Sequence, residues 1–285
     1  ERKMKEDAIL PLHLFKSSTF SLTTLLGVIV GIGMFGGMIS LPLVLQIVYG
    51  ASPTEAGYLM IPMVIGMMSA SIISGRITGN TGKYKIFMIL GTAFMFVSYT
   101  YLATLTYEWQ IWQISIGMVF MGLGLGQMMQ TLTIASQNAV EARDIGVATS
   151  SSTFFRQMGG TLGVAVFLSI LFNNLADKAG AMKAAIFKAI QENPALMTDP
   201  KNAEFFTAKD PSALIQTDSS FLKRISPELA NPIKQAFAES AATVFFSASF
   251  VVLTAFALTW FIKELALRTK SGVQEKAEQA ASSMH

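Results

Sequence analysis

Six long apolar runs define the pattern of the chain, and they are separated by short polar links and one long polar segment. Each run is about 20 residues or longer, which is the length needed to cross a hydrocarbon core of ~30 Å. The pattern therefore predicts an all-α membrane protein with six transmembrane helices. The predicted spans cover about 20–48, 58–77, 86–106, 109–135, 149–175 and 241–262.

The regions outside these spans are polar. Residues 1–19 are predicted to be a cytoplasmic linker with an interfacial segment, and residues 266–285 a charged cytoplasmic tail. Residues 174–240 carry balanced charges, with apolar positions at helical spacing, and this favours an outer loop of short amphipathic helices. Residues 20–265 are thus interpreted as one six-helix lobe. Because the chain starts in a charged stretch without an initiator Met, we expect a fragment that begins inside a cytoplasmic loop.

Local signals place several helix ends. Ser17, Ser18 or Thr19 can cap the first span. The sequence Ser52-Pro53-Thr54-Glu55 has the pattern of a capping box with proline at the first helical position, so a helix is predicted to start there. Glycines four residues apart allow close helix contact, as at Gly159 and Gly163.

Composition narrows the class of protein. Hydrophobic residues make up 52% of the chain and charged residues 14%, against about 25% charged residues in soluble domains. The absence of cysteine excludes disulfides and thiolate metal sites. The net charge of +3 lies beside the predicted spans and gives no indication of nucleic-acid binding.

Basic residues are distributed asymmetrically among the short links. Arg76, Lys83, Lys85 and Arg143 lie in the second and fourth links, whereas the first and third contain Glu55 and Glu108 and no cation. The positive-inside rule then places both termini in the cytoplasm. Aromatic residues near the span ends are expected to form interfacial belts, with Tyr84 and Trp260 on the inner side.

The link between the second and third spans reads G-R-x-x-G-N-x-G-K-x-K, from Gly75 to Lys85. It resembles the loop signature of the major facilitator superfamily, without the usual acidic residue. Three other stretches are similar to the fourteen-span drug:proton antiporter group of that superfamily: residues 10–15, residues 50–57, and residues 142–146 together with 156–160. The resemblance implies the C-terminal lobe of a transporter, built as a 3+3 inverted repeat. The loop residues that match are Gly75, Arg76, Gly79, Gly82 and Lys83.

The resemblance also implies a function. It implies proton-driven efflux of lipophilic drugs or other amphipathic small molecules by alternating access, in a plasma membrane and most simply a bacterial one. The partners would be the lipid bilayer and the missing N-terminal lobe. No cofactor is implied beyond the proton gradient. No Asp or Glu lies in the apolar body of any predicted span, so the proton-binding carboxylate is expected in the missing lobe.

Candidate site residues follow from the same resemblance, which equates the first and fourth spans with helices that line the central cavity. The cavity candidates are Met34, Met38, Gln46, Gln127, Gln130 and Thr131. For the polar members, hydrogen bonding between helices is an equal alternative. Arg156 is the one charge close to an apolar run. It either anchors the helix by reaching the interface or has a gating or substrate role.

Other functions remain to be compared with efflux. A facilitator or importer of another small solute and a non-transporting six-span scaffold are both compatible with the pattern. An intramembrane enzyme is not predicted, because the spans contain no His, Cys or Asp for catalysis. The Gly75–Lys85 link does not match a nucleotide-binding loop, since Tyr84 follows the Gly-Lys pair where that motif has Ser or Thr.

Overall fold

The structure is a computed structural model that describes residues 12–207 and 219–265. Most of the predicted linker, the predicted tail and residues 208–218 of the predicted outer loop lie outside the described residues. Six helical stretches are long and apolar enough to cross a membrane, which confirms the predicted class. The helices are α1 Ser18–Ile47, α2 Pro53–Leu59, α3 Ile61–Thr81, α4 Lys85–Leu102, α5 Ile111–Asn138, α6 Ile145–Glu192, α7 Ala203–Thr207 and α8 Pro227–Phe261.

The helices pack as two interlocked sets of three. The first set is α1, α2 with α3, and α4; the second is α5, α6 and α8. The most extensive contacts join α3 to α5 and α1 to α6, so the second member of each set packs against the first member of the other. Helices α4 and α8 contact each other and also pack on α5 and α1, respectively. This packing of each set against the other is what an internal 3+3 repeat predicts.

Glycines set the distance between the most closely packed helices. Gly122 and Gly126 of α5 lie against the backbone of α3, and Gly159 and Gly163 of α6 lie against the backbone of α1. A Cβ atom at any of the four would overlap a carbonyl oxygen of the facing helix, at Met63, Met67, Val28 and Ile32, respectively. Both crossings therefore depend on small residues spaced four apart.

The predicted helix starts are confirmed where the structure describes them. The Ser52 backbone N–H donates to Glu55 Oε2 at 2.8 Å, and the Glu55 N–H donates to Ser52 Oγ at 3.3 Å, which completes the capping box. Ser17 caps α1 by accepting from the Phe20 N–H at 3.3 Å. The second span is interrupted at Met60, between α2 and α3. Pro62 is the second residue of α3, and proline has no N–H to continue the helical hydrogen bonds.

The segment at residues 174–240 differs from the predicted loop of short helices. Helix α6 continues without a break to Glu192, and α8 already begins at Pro227. The two extensions are joined by an ion pair between Lys178 and Glu239. The apolar signal ends near Leu175, where the predicted span ends. The helix continues because its less apolar part packs on neighbouring segments of the same chain.

The connection between the two extensions is organised around Asn202, which has no exposed surface. Its Nδ2 donates to the Leu196 carbonyl at 2.9 Å and to Ser226 Oγ at 3.0 Å, and its Oδ1 accepts from the Ser226 N–H at 2.8 Å. Ser226 is the N-cap residue of α8. The amide side chain of Asn202 thus provides hydrogen-bond partners for the N–H and hydroxyl groups of Ser226, where the last helix starts.

Replacing Asn202 by alanine should lower the stability of the lobe by about 2 kcal/mol, because a buried backbone N–H and carbonyl lose their partner. Thermal unfolding of the detergent-purified protein would show a fall in Tm of several degrees. Asn193→Ala is the matched control, because Asn193 is exposed and its side chain caps nothing in the turn that follows it. Equal Tm values for the two variants would contradict this role for Asn202.

Candidate functional site

The link between α3 and α4 lies at one end of the lobe, called here the Gly82 end; the opposite end is the Gly50 end. Gly82 has φ 75° and ends α3, with its N–H donating to the Thr78 carbonyl at 2.8 Å. Only glycine adopts this conformation without a steric penalty. Gly75 and Gly79 lie within α3 instead. The turn therefore depends on one glycine of the three in the motif.

The remaining motif residues form an open surface. Arg76, Gly79 and Lys83 are exposed. A Cβ at Gly79 would meet nothing within 4 Å. The lobe itself therefore does not explain why glycine and two cations occur at these positions. Whether this surface contacts another part of a transporter stays a prediction.

Tyr84 lies behind this surface and is fully buried, so its predicted place in an interfacial belt is wrong. Its hydroxyl accepts from the Leu265 N–H at 2.9 Å, and Asn138 Nδ2 donates to the Leu265 carbonyl at 3.0 Å. Lys85 Nζ donates to the Trp260 carbonyl at 3.0 Å. Burial raises the pKa of the Tyr84 hydroxyl above its usual value. The ends of α5 and α8 and the start of α4 are thus tied together at the Gly82 end.

The three candidates on α5 do not share one face. Gln127 is 7% exposed and lies beside Gly91 of α4, whereas half-buried Gln130 lies beside Gly75 of α3. Thr131 is fully buried, and its hydroxyl donates to the Gln127 carbonyl at 2.7 Å. The structure therefore groups Gln127 with Thr131 and separates both from Gln130. Their role in a cavity stays a prediction.

The candidates on α1 lie along the same helix. Met34 is buried, and Met38 and Gln46 are half-buried. Tyr99 of α4 was not singled out by the sequence, yet it is fully buried and its hydroxyl donates to the Gly33 carbonyl. A tyrosine in an apolar run gives no local sign of such a partner, because the two residues are 66 positions apart.

Arg156 lies inside the lobe, on the side of α6 that faces α1. It is 8% exposed, and its backbone carbonyl lies directly against Gly31. Its Nη1 is fully buried and has no hydrogen-bond partner within the described part of the chain. One nitrogen of the guanidinium group is therefore withdrawn from solvent in this lobe. The anchoring, gating and substrate roles of Arg156 stay predictions.

Large apolar residues are exposed on all four helices that pack around α1 and α5, including Leu90 and Val97 on α4 and Phe246 and Phe250 on α8. Helix α6 exposes residues four apart: Phe154, Met158, Leu162 and Val166. Helix α3 exposes a comparable row: Ile61, Val64, Ile65, Met68, Ile72, Ile73 and Ile77. Apolar surface on this scale requires lipid or another protein surface to cover it.

A cavity of about 290 Å³ lies at the Gly50 end, away from the predicted cavity residues. Its walls include Tyr49, Tyr58, Ile111 and an ion pair between Lys223 and Glu55 at 3.8 Å. Burial raises the pKa of Tyr49 to about 12. None of the six cavity candidates lines this space.

Comparison with known proteins identifies the family. The family model described as Major Facilitator Superfamily matches residues 1–164. The chain belongs to this superfamily. The resemblance noted in the link from Gly75 to Lys85 is thereby confirmed, and the chain is a multi-pass membrane protein of a transporter family.

Individual members of the superfamily are similar over nearly the whole chain. A tetracycline resistance determinant from Streptomyces rimosus is 30% identical over 285 residues, which are 99% of this chain and 82% of that protein. The multidrug transporter protein MdtP of Bacillus subtilis is 32% identical over 297 residues, with 99% of this chain and 52% of that protein covered. An uncharacterized transporter of the superfamily from Mycobacterium tuberculosis is 35% identical over 262 residues, with 91% and 34% covered. The chain thus spans only half or a third of the length of some relatives.

Proposed function

We propose that this chain is the C-terminal lobe of a proton-driven exporter of lipophilic or amphipathic small molecules. The observation that carries the proposal is the pair of uncovered apolar faces on α3 and α6, on either side of the central helices α1 and α5. A second lobe placed against both faces would enclose a space along α1 and α5. Rocking of one lobe against the other would then give alternating access.

The nature of the cargo is inferred from the relatives and from the helix surfaces. Two relatives are named for resistance to tetracycline and for multidrug transport. The candidates Met34 and Met38 offer flexible apolar contacts, while Gln46 and Gln130 are half-buried amides. Methionine-rich surfaces adapt to ligands of varied shape. This combination suits an amphipathic cargo.

The proton-binding group of the exporter would lie outside this lobe. Helices α1, α3, α4 and α5 contain no Asp or Glu, and Glu239 of α8 is already paired with Lys178 at the Gly50 end. Coupled transporters commonly carry a protonatable side chain inside the membrane. We therefore assign that group to an N-terminal lobe. The membrane would be a bacterial plasma membrane, with the Gly82 end in the cytoplasm.

Export can be tested with the full-length protein that contains this chain. Cells that express it should extrude a lipophilic fluorescent dye faster than cells with an empty vector. A protonophore should abolish the difference, because the driving force is the proton gradient. Extrusion that continues after the gradient has collapsed, with ATP held constant, would contradict proton coupling. Accumulation of dye in the expressing cells would contradict export.

A further inference from the structure

Arg156 holds a buried charge that the described part of the chain does not neutralise. Nη1 has no hydrogen-bond partner there, and the residue is 8% exposed. Arginine remains protonated at any pH that a protein tolerates. A buried charge without a partner is strongly destabilising, and ionisable groups inside membrane helices are usually paired. An anion beside the guanidinium would remove this cost.

Arg156 lies well inside α6. It follows the first residue of α6, Ile145, by eleven positions, which is about 16 Å along the helix axis. Side chains on a helix lean toward its N-terminus, so the guanidinium points back toward the Gly82 end. The groups that it can meet belong to the first half of α6 and to the facing part of α1.

Two further polar atoms in this region lack partners. Gly31 faces the Arg156 carbonyl and Gly27 faces the Ser152 carbonyl, so α1 and α6 run side by side in parallel. On that register Thr24 of α1 lies near the level of Ser151. Thr24 Oγ1 and Ser151 Oγ are both buried and have no hydrogen-bond partner within the residues described. The guanidinium only donates and the two hydroxyls can donate or accept, but none of the three carries the negative charge that would neutralise Arg156.

The neighbouring helices supply no acid. Helices α1 and α5 contain no Asp or Glu at all. The acids of α6 and α8 lie in the extensions at the Gly50 end, the nearest in α6 being Asp177. That residue is 21 positions beyond Arg156, about 31 Å along the helix. On the other side, Asp144 is the N-cap residue of α6, twelve positions before Arg156 and about 18 Å away along the axis, and it already pairs with His13 at 2.9 Å. No acid of the described residues is therefore paired with Arg156.

We propose that Arg156 forms a carboxylate-binding site where α6 packs on α1, with the buried hydroxyl of Thr24 on the side toward the Gly82 end. The planar guanidinium matches a carboxylate through two parallel hydrogen bonds. A singly charged carboxylate also enters an apolar interior at less cost than a doubly charged phosphate. The carboxylate belongs either to the cargo or to another segment of the full-length polypeptide. Only the cargo source rests on the proposed function.

The experiment uses the full-length protein purified in detergent, with Arg156→Met to remove the charge and Arg156→Lys to keep it. Arg143→Met is the control, because that side chain is 66% exposed. The probes are rhodamine 110, which carries a free carboxylate, and rhodamine 123, which is its methyl ester. Each protein is characterised by its Kd for both dyes and by its Tm without dye.

A cargo carboxylate predicts that Arg156→Met weakens binding of rhodamine 110 by about tenfold or more, with less than about a twofold change for rhodamine 123. A carboxylate of the polypeptide predicts a lower Tm for Arg156→Met, and Arg156→Lys should recover part of the loss, because lysine keeps the charge but not the paired hydrogen bonds. An unchanged or higher Tm together with unchanged relative affinities would overturn the proposal, because removing a truly unpaired charge stabilises a protein.

Absence of dye binding and absence of folded Arg156→Met protein are also informative. If neither dye binds the wild type, the proposed cargo class is contradicted, and the Tm values alone decide whether Arg156 is paired. If Arg156→Met gives no folded protein, Arg156→Lys decides. Folding rescued by lysine supports an anionic partner, because lysine restores the charge without the guanidinium shape. Failure of lysine as well would contradict the site.

Discussion

Replacing Gly159 by alanine is expected to disrupt the lobe, although the substitution adds only one methyl group. Gly159 lies in the first third of α6, where that helix crosses α1, and a Cβ there would overlap the Val28 carbonyl oxygen. Backbone atoms cannot rotate away as a flexible side chain does, so the two helices must separate. Overpacking of this kind costs about 1–3 kcal/mol or more.

The effect extends beyond one contact. Gly163 lies against Ile32 one turn further along α6, so the whole α1–α6 contact depends on the same spacing. Helices in a membrane are held together mainly by close packing, because lipid tails compete for their apolar surfaces. Moving the helices apart therefore removes attractive contacts along the crossing. We expect a large fall in Tm and poor recovery of monodisperse protein on size-exclusion chromatography.

Gly180→Ala is the control, in the same helix. Gly180 is exposed, and a Cβ there would meet nothing within 4 Å. Alanine lowers the entropy of the unfolded chain, so this variant should be more stable by about 0.5–1 kcal/mol. Replacing glycine by alanine is thus expected to lower the stability at Gly159 and to raise it at Gly180, in the same helix. Similar Tm values for the two variants would contradict the close α1–α6 crossing.

Features with local signals could be predicted from the sequence. The apolar runs located all six membrane helices, because each crossing needs an uninterrupted stretch of about 20 residues. Ser52 and Glu55 form the predicted capping box, since its partners are three residues apart. The prediction from Gly159 and Gly163 that α6 makes a close helix contact also agrees with the structure. In each case the determining residues lie within a turn or two of one another.

Features that depend on distant partners could not be predicted. Tyr84 has the composition of a belt residue, but Leu265, 181 positions away, provides its hydrogen bond in the interior. The direction of Gln127 toward α4 depends on how α4 and α5 are rotated against each other, and periodicity does not specify this angle. The extension of α6 to Glu192 depends on packing of its few apolar residues, such as Met182 and Ile186, against the core. The burial of Arg156 likewise follows from the approach of α1.

Replacing Gly79 by leucine is expected to abolish transport by the full-length protein while leaving the lobe folded. Gly79 is an exposed helical residue of α3 with open space around its Cα. Glycine is less favourable in a helix than alanine by about 0.8–1.0 kcal/mol, and leucine ranks just below alanine, so the stability of the lobe should be unchanged or slightly higher. A loss of function would then have to arise from a surface that meets Gly79 only in the complete transporter.

The motif can serve to form the turn between α3 and α4 or to contact a second lobe. A substitution at Gly79 distinguishes these two roles better than one at Gly82. A side chain at Gly82 would strain a backbone with φ 75°, so a loss of transport there could reflect a damaged turn. Gly79 carries no such strain, and its exposed neighbours Arg76 and Lys83 indicate a surface that faces outward from the lobe. If a second lobe approaches this surface closely during the transport cycle, a leucine side chain would prevent the approach.

The test measures dye extrusion and Tm for Gly79→Leu beside Gly180→Leu. Both glycines are exposed and helical with nothing within 4 Å, but Gly180 lies in the extension of α6 at the Gly50 end. We expect extrusion to fall by about tenfold or more for Gly79→Leu, as for the misplacement of a catalytic or gating contact. Gly180→Leu should transport like the wild type. Equal extrusion rates for the two variants would mean that the Gly79 surface remains free throughout transport, and the motif would then serve only to join α3 and α4.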